Sequence, residues 1–310
     1  MSPRALACPA SLKDCASAPL AAEALARGFR SAGVSTDTLP VADGGEGTLD
    51  ALCDTFETYE VVDAFGRPRS ARVGVLADGT RVVEAAEAVP FERDPPDVMA
   101  ASSRGLGLLI EHLPDGPLVV TVGGTATMDG GVGLLDVIDR LPGPTRVLCD
   151  VATRLYDAPR LYGPQKGASP EQVAALEQRL RAMPELAPYA DLPGSGAAGG
   201  LGAALASLGA ELVPGAEAVL DLLGFDPAAY DLVVTGEGTV DATTWEGKAP
   251  SAVVRRSREA GVPCVVFGGR VRAGSVPDGV SVRELSGDPS RVEDDLVELG
   301  LALGASLRGA

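Results

Sequence analysis

The sequence predicts an α/β protein: a parallel-sheet domain assembled from both ends of the chain, with a second α/β domain of mixed sheet inserted in its middle. Two patterns and the length predict it. Near both ends, short apolar runs alternate with segments of helical apolar spacing, which implies parallel strands joined by right-handed crossovers. From Tyr59 the texture changes to period-2 alternation, the mark of strands paired through tight turns. The 310 residues are long enough for two cores. The boundaries expected are residues 1–58 with 214–310 for the parallel domain and residues 59–213 for the insert.

Each element has its local reason. ALACPAS reads as a short buried strand, and APLAAEALARGFRSAG after it as a helix stopped by Gly33. STDTLPVAD reads as a second strand, and GGEGTLDALCDTF as a loop turning into a helix. YEVVDAFGRPRSARVGVLADGTRVVEAAEA reads as strands joined at FGRP and ADGT. Helices follow at GLGLLIEHL and SPEQVAALEQRLRAM, with a buried strand LVVTVGG between them. After the Gly/Ala-rich LPGSGAAGGLGAALASLGA, the pattern returns to helix AEAVLDLLG, strand DLVVTGEG, helix APSAVVRRSREAG, strand VPCVVFGG and a terminal helix from Ser290.

Composition excludes several functions. A formal charge of −17 opposes binding to nucleic acid or anionic membranes, which requires clustered positive charge. No apolar run approaches membrane-spanning length, and MSPRALACPASLKD lacks the form of a signal peptide. Five cysteines without CxxC spacing suggest neither a disulfide framework nor a zinc site, so a reduced cytoplasm is the expected location. The single histidine, His112, falls at an expected helix end, where a surface role fits; a general base is therefore sought among carboxylates.

Of 26 basic residues only Lys13, Lys166 and Lys248 are lysine, and asparagine is absent, a drift that a GC-rich genome would produce. All three lysines stand in short segments of small and polar residues: SLKDC, GPQKGAS and WEGKA. A compact ammonium differs from guanidinium where it must reach a phosphate oxygen. The lysines therefore mark candidate anion contacts.

Ligands of open parallel sheets bind at loops following the carboxyl ends of strands. VADGGEGT offers Asp43, Gly44, Gly45, Glu46, Gly47 and Thr48 ahead of a helix, where free N–H groups attract an anion. TVGGTATMDGG repeats the design with Gly124, Thr125, Thr127 and Asp129. TGEGTVDATTWEGKAP contributes Glu237, Asp241 and Lys248, and LYGPQKGASPEQV contributes Gln165 and Lys166. Carboxylates at a strand end suit Mg²⁺, which shares its remaining positions with water and phosphate. Taken singly, each loop also reads as a capped turn. GSGAAG at 194–199 fits a dinucleotide fingerprint but follows no convincing strand, and the EGK of TWEGKAP lacks the glycine and hydroxyl of a Walker A loop.

The motifs VADGGEGT, VGGTATMDGG, GPQKGA, LPGSGAAGGLGAAL and VVTGEGTVDATTWEGKAP occur in the order found in the bacterial glycerate kinase family, type I, which the chain resembles from about Ala7 to Gly268. The resemblance implies a Rossmann-like domain with an inserted α/β domain, and transfer of the ATP γ-phosphate to D-glycerate, usually giving 2-phosphoglycerate. ATP, Mg²⁺ and a small hydroxy acid are then the expected cofactors and partners, with a monomer or homodimer as the assembly. For such a transfer Lys13, Lys166 and Lys248 would supply point charges, with Ser11 retained beside the first. Asp43 is the first candidate to accept the substrate proton, with Asp129 and Asp241 as rivals. Glu46, Glu237 and Asp241 are metal candidates, and Arg104 is a candidate for the substrate carboxylate. The chain departs from the pattern at Ala10 for an Asp, Met128 for an Asn, Thr239 for an Arg, Thr243 for a Gln, and Ala152 in the segment after Cys149. A shortened stretch between Leu135 and Arg146 is a further departure. A kinase for another small hydroxy acid, or a catalytically weakened binding paralogue, stand as alternatives.

Overall fold

The computed structural model describes residues 3–13, 15–92 and 97–309. Its strands are β1 (Arg4–Ala7), β2 (Ser35–Thr38), β3 (Phe56–Val62), β4 (Pro68–Val75), β5 (Arg81–Glu84), β6 (Leu118–Thr121), β7 (Thr145–Cys149), β8 (Glu211–Pro214), β9 (Leu232–Val240), β10 (Cys264–Val271) and β11 (Ser281–Glu284). They form two sheets in two compact units, one comprising Met1–Asp43 with Ala216–Ala310, the other Gly44–Gly215. The α/β class, with one parallel and one mixed sheet, agrees with the class expected from the sequence.

In the first unit the strand order is β11-β10-β9-β1-β2, and every pair is parallel. Helix Ala18–Ser31 makes the crossover from β1 to β2: Ser17 Oγ accepts the Leu20 N–H at its start, and Gly33 takes φ +75° just past its end. Its buried Ala21, Ala24, Leu25 and Phe29 meet Val234, Phe267 and Leu296 on one face of the sheet. On the other face Leu6, Val41, Val233, Leu220 and Val253 form a second core, the last two from helices Gly215–Leu222 and Ala249–Glu259. Apolar cover on both faces is what an all-parallel sheet requires. STDTLPVAD yields only the short β2, because Pro40 lacks a donor. The chain nevertheless stays alongside, with Leu39 N–H donating to Ala7 O at 2.9 Å and Val41 N–H to Pro9 O at 3.0 Å.

In the second unit the order is β3-β4-β5-β6-β7-β8, antiparallel from β3 to β5 and parallel from β5 to β8. The two hairpins turn at Gly66 (φ +80°) and Gly79 (φ +85°), the glycines of FGRP and ADGT. Helix Pro170–Arg181 begins with a capping box between Ser169 and Gln172. His112 caps helix Arg104–Glu111 on the surface, its Nδ1 2.6 Å from Leu108 O. The GSGAAG segment packs within this unit: Leu155 N–H donates to Ser195 Oγ, which donates to Ala190 O. Among the described residues no helix is long and apolar enough to cross a membrane.

Helix Ala18–Ser31 also packs on the terminal helix Val292–Gly309 at backbone distance. A Cβ on Gly28 would lie 2.2 Å from Val297 O, and one on Gly300 would lie 2.3 Å from Leu25 O. In Gly28→Ala the gain in helix propensity, about 0.5–1 kcal/mol, is outweighed by overpacking of typically 1–3 kcal/mol against backbone that cannot rotate away. The variant is expected to unfold at lower urea concentration than the parent, in a denaturation series followed by circular dichroism. An equal or higher midpoint would contradict the contact.

Candidate active site

A crevice opens in an open parallel sheet where successive crossovers leave a strand in opposite directions. In the first unit this occurs between β1 and β9: the chain leaves β1 for β2 on one side and returns at β9 on the other. A cavity of about 470 Å³ lies there, lined by Ser11, Lys13 and Cys15 after β1, by Glu237, Gly238, Thr239, Asp241 and Lys248 at and beyond the end of β9, and by Gly269 and Arg270 of β10. Its size is that of a small-molecule site. Two of the three lysines, Lys13 and Lys248, are thus brought into one cavity, together with Ser11, Glu237 and Asp241.

The loop after β9 is held by its own hydroxyls. Thr244 Oγ1 donates to Glu237 Oε1 at 2.5 Å and accepts the Asp241 N–H at 3.0 Å. Asp241 Oδ1 in turn accepts from the Thr243 N–H and hydroxyl at 2.9 and 2.6 Å. Lys248 Nζ stands 3.6 Å from Glu237 Oε2. Burial pushes the Glu237 carboxyl above its ordinary range, and the negative charges of Asp43 and Asp241 add to this against Thr244 and Lys248. Asp241 is held lower by the Thr243 hydroxyl.

In the second unit the loops Gly44–Gly47 and Gly123–Thr127 lie against each other. A Cβ on Gly123 would stand 2.5 Å from Gly45 Cα and 2.7 Å from Asp150 Oδ2, and Gly123 N–H donates to Gly44 O at 3.2 Å. Lys166 is buried, at 6 % exposure, and its Nζ donates to Thr127 O at 2.9 Å. Burial lowers its pKa to about 8, with Asp150 and Asp129 favouring the charged form. Gln165 and Glu46 are exposed, as is Arg104 at the first turn of its helix. The Thr125 hydroxyl is buried without a hydrogen-bond partner among the described residues.

Three features of this unit differ from the simplest reading of the loops. Asp129 is a buried anchor: its Oδ2 accepts from the Ser103 N–H, the Ser103 hydroxyl and the Gly133 N–H, and its Oδ1 from the Gly131 N–H, at 2.8–3.1 Å. Thr127 spends its hydroxyl on Ala198 O at 3.0 Å. The helix start after GGEG already has an acceptor, because Glu84 accepts the Gly47 N–H at Oε1 (3.0 Å) and the Leu49 N–H at Oε2 (2.9 Å). Glu84, Asp150 and Arg270 had not been singled out in the sequence. Glu84 ends β5, Asp150 follows β7 and Arg270 stands one residue before the end of β10; β7 was hidden by the proline-rich LPGPT before it.

The glycerate kinase family model matches residues 5–139 and 143–281. The chain is 34 % identical over 333 aligned residues to the glycerate 2-kinase of Escherichia coli (strain K12), covering 88 % of this chain and 86 % of that protein. It is 34 % identical over 322 residues to the glycerate kinase of Bacillus subtilis (strain 168), covering 85 % and 84 %. A solved protein from Salmonella typhimurium LT2, provisionally assigned as glycerate kinase 2, superposes with a TM-score of 0.82 at 28 % identity, covering 100 % of this chain and 99 % of that one.

The Glu84 carboxyl titrates in a range that a stability measurement reaches. Burial raises its pKa from 4.5 to about 7, against the two N–H donors and with Glu87 and Asp50 adding negative charge. The folded form therefore binds the proton more tightly than the unfolded chain. Its contribution is fully present below pH 4.5 and is lost as pH rises through about 7. In Glu84→Gln this loss disappears, so the parent's stability should fall relative to the variant by on the order of 2–3 kcal/mol between pH 4.5 and 7.5. Urea denaturation of both proteins across that range checks it, and parallel curves would refute it.

Proposed function

The chain belongs to the glycerate kinase family, and from that premise we propose that it transfers the γ-phosphate of ATP to D-glycerate, giving 2-phosphoglycerate. The observation that carries the reading is the gathering of Lys13, Lys248, Glu237 and Asp241 in one cavity at the point where the strand order reverses. Phosphoryl transfer asks little covalent work of a protein; it asks for alignment of the acceptor hydroxyl and neutralisation of charge spread over the phosphate oxygens.

Each residue then has a task. The Lys13 and Lys248 ammonium groups bind phosphate oxygens, and Ser11 adds a hydroxyl donor beside them. Asp43, whose charge is felt at Glu237, orients the acceptor hydroxyl and takes its proton late in the transfer. Glu237 and Asp241 fit a magnesium ion. They are oxygen ligands whose mutual repulsion helps to raise the Glu237 pKa, and a dication would relieve it. No three His, Cys, Asp or Glu side chains among the described residues form a metal-holding group, so water and phosphate would complete the shell. Bound there, magnesium supplies positive charge to the phosphate oxygens. In the second unit, Gly44, Gly45, Glu46, Gly124, Thr125, Gln165 and Lys166 are proposed contacts for the hydroxy acid or phosphate, and Arg104 for the acid's carboxylate. Gly47, Thr48, Thr127 and Asp129 act there by shaping their loops, since Glu84, Gly45 O, Ala198 O and Ser103 take their polar groups.

The test is ADP release with ATP and D-glycerate, with and without Mg²⁺, and identification of the product by phosphorus NMR. Lys248→Ala is expected to lower kcat/KM by about a hundredfold or more, the scale of one charged contact made in the transition state, with the melting temperature near that of the parent. Unchanged turnover in that variant would remove Lys248 from the site, and no ADP release by folded parent protein would overturn the reading.

A further inference from the structure

The charges lining the cavity of the first unit are unequally matched. Its four acids all have partners: Glu237 faces Lys248, Asp241 accepts from Thr243 and stands 4.0 Å from Arg272, Asp288 accepts from Ser290, and Asp295 accepts from Ser286 and faces Arg291. Its cations Lys13 and Arg270 have no acid within ion-pair distance among the described residues. A protein of charge −17 in which these two cations, at the carboxyl ends of parallel strands, have no counter-ion among the described residues offers them to an anion from solution.

Arg270 is well placed for that role. In the parallel ladder of β9 and β10 it stands opposite Thr239, and both line the cavity. The strands beneath it touch at backbone distance: a Cβ on Gly269 would lie 2.8 Å from Gly238 O, so the glycines here fix the β9–β10 seam that carries Arg270. Arginine rather than lysine fits a group presenting paired oxygens, since its fork donates two parallel N–H bonds.

We propose that Arg270 is a phosphate-binding residue of this site, gripping oxygens of the donor nucleotide's phosphates that are not transferred. This rests on the kinase reading above. The transferred group is left to Lys13 and Lys248, and Arg270 holds the remainder of the polyphosphate, so its loss falls on nucleotide affinity and leaves the acceptor untouched.

The test is calorimetric binding of ADP and of inorganic tripolyphosphate to the full chain, with steady-state kinetics, for the parent, Arg270→Ala, Arg270→Lys and Arg283→Ala. Arg283 lies on β11, outside the cavity lining, and serves as the control. Arg270→Ala is expected to weaken both ligands by about tenfold or more, the scale of a lost charge-assisted hydrogen bond. Arg270→Lys should recover part of the affinity, Arg283→Ala should match the parent, and KM for D-glycerate should hold in all three. Melting temperatures near the parent's show that the variants are folded. Parent-like affinity of Arg270→Ala for both ligands, with turnover intact in the parent, overturns the inference and leaves the kinase reading standing. Arg270-dependent binding by a parent that phosphorylates no D-glycerate supports the inference and defeats that reading.

Discussion

β1 hydrogen-bonds in parallel to β2 on one side and to β9 on the other, and the first unit's chemistry depends on that double pairing. A strand of only Arg4–Ala7 can hold the middle of a sheet because its residues after the first are buried and both of its edges are satisfied. With neighbours reached by crossovers on opposite sides, the segments following β1 and β9 run side by side as far as Ala10, whose N–H donates to Gly236 O at 2.9 Å, and a gap opens beyond. The gap fills with the residues that follow: Ser11 and Lys13 from one strand, Glu237 to Lys248 from the other.

Each unit uses its glycines differently. Beside the cavity, Gly269 lets adjacent strands approach, a Cβ there lying 2.8 Å from Gly238 O, while at Gly238 a Cβ would meet only ordinary contact, 3.5 Å from Lys13 N. In the second unit, Gly44 and Gly123 let loops touch other backbone, and the missing Cβ is replaced by protein. A glycine-rich loop after a strand is therefore not by itself a ligand cradle. The GGEG donors at Gly47 and Leu49 are committed to Glu84, which turns what looks like an anion site into an internal cap.

Much of this was legible in the sequence, for physical reasons that also mark where legibility stops. Strands β3 to β5 announce themselves by alternation and by Gly66 and Gly79, since one buried face and a tight turn are local demands. Strands β7, β8 and β11 are 4–5 residues long, too short for any period to show. Lys13, Lys248, Glu237 and Asp241 were visible because strand-end loops carry their chemistry in the sequence around them. Arg270 was not, because its neighbour Thr239 is 31 positions away and only the β9–β10 register puts them side by side. Asp129 was visible as an acid, but its engagement by Ser103, Gly131 and Gly133 depends on a helix start that arrives from another part of the chain.

The close seam of Gly28 and Gly300 joins the opening helix to the last one, and β1 meets β9 across 227 positions, Ala5 opposite Leu232. On a ribosome adding roughly 5–20 residues per second, the first strand emerges on the order of ten to fifty seconds before its partner. The stretch Gly44–Gly215 is continuous and carries its own core, so it can complete its fold during that wait. The opening segment meanwhile holds apolar Leu6, Leu25 and Phe29 without their final cover. A nascent chain stalled before β9 would thus display an ordered middle and an exposed, aggregation-prone beginning.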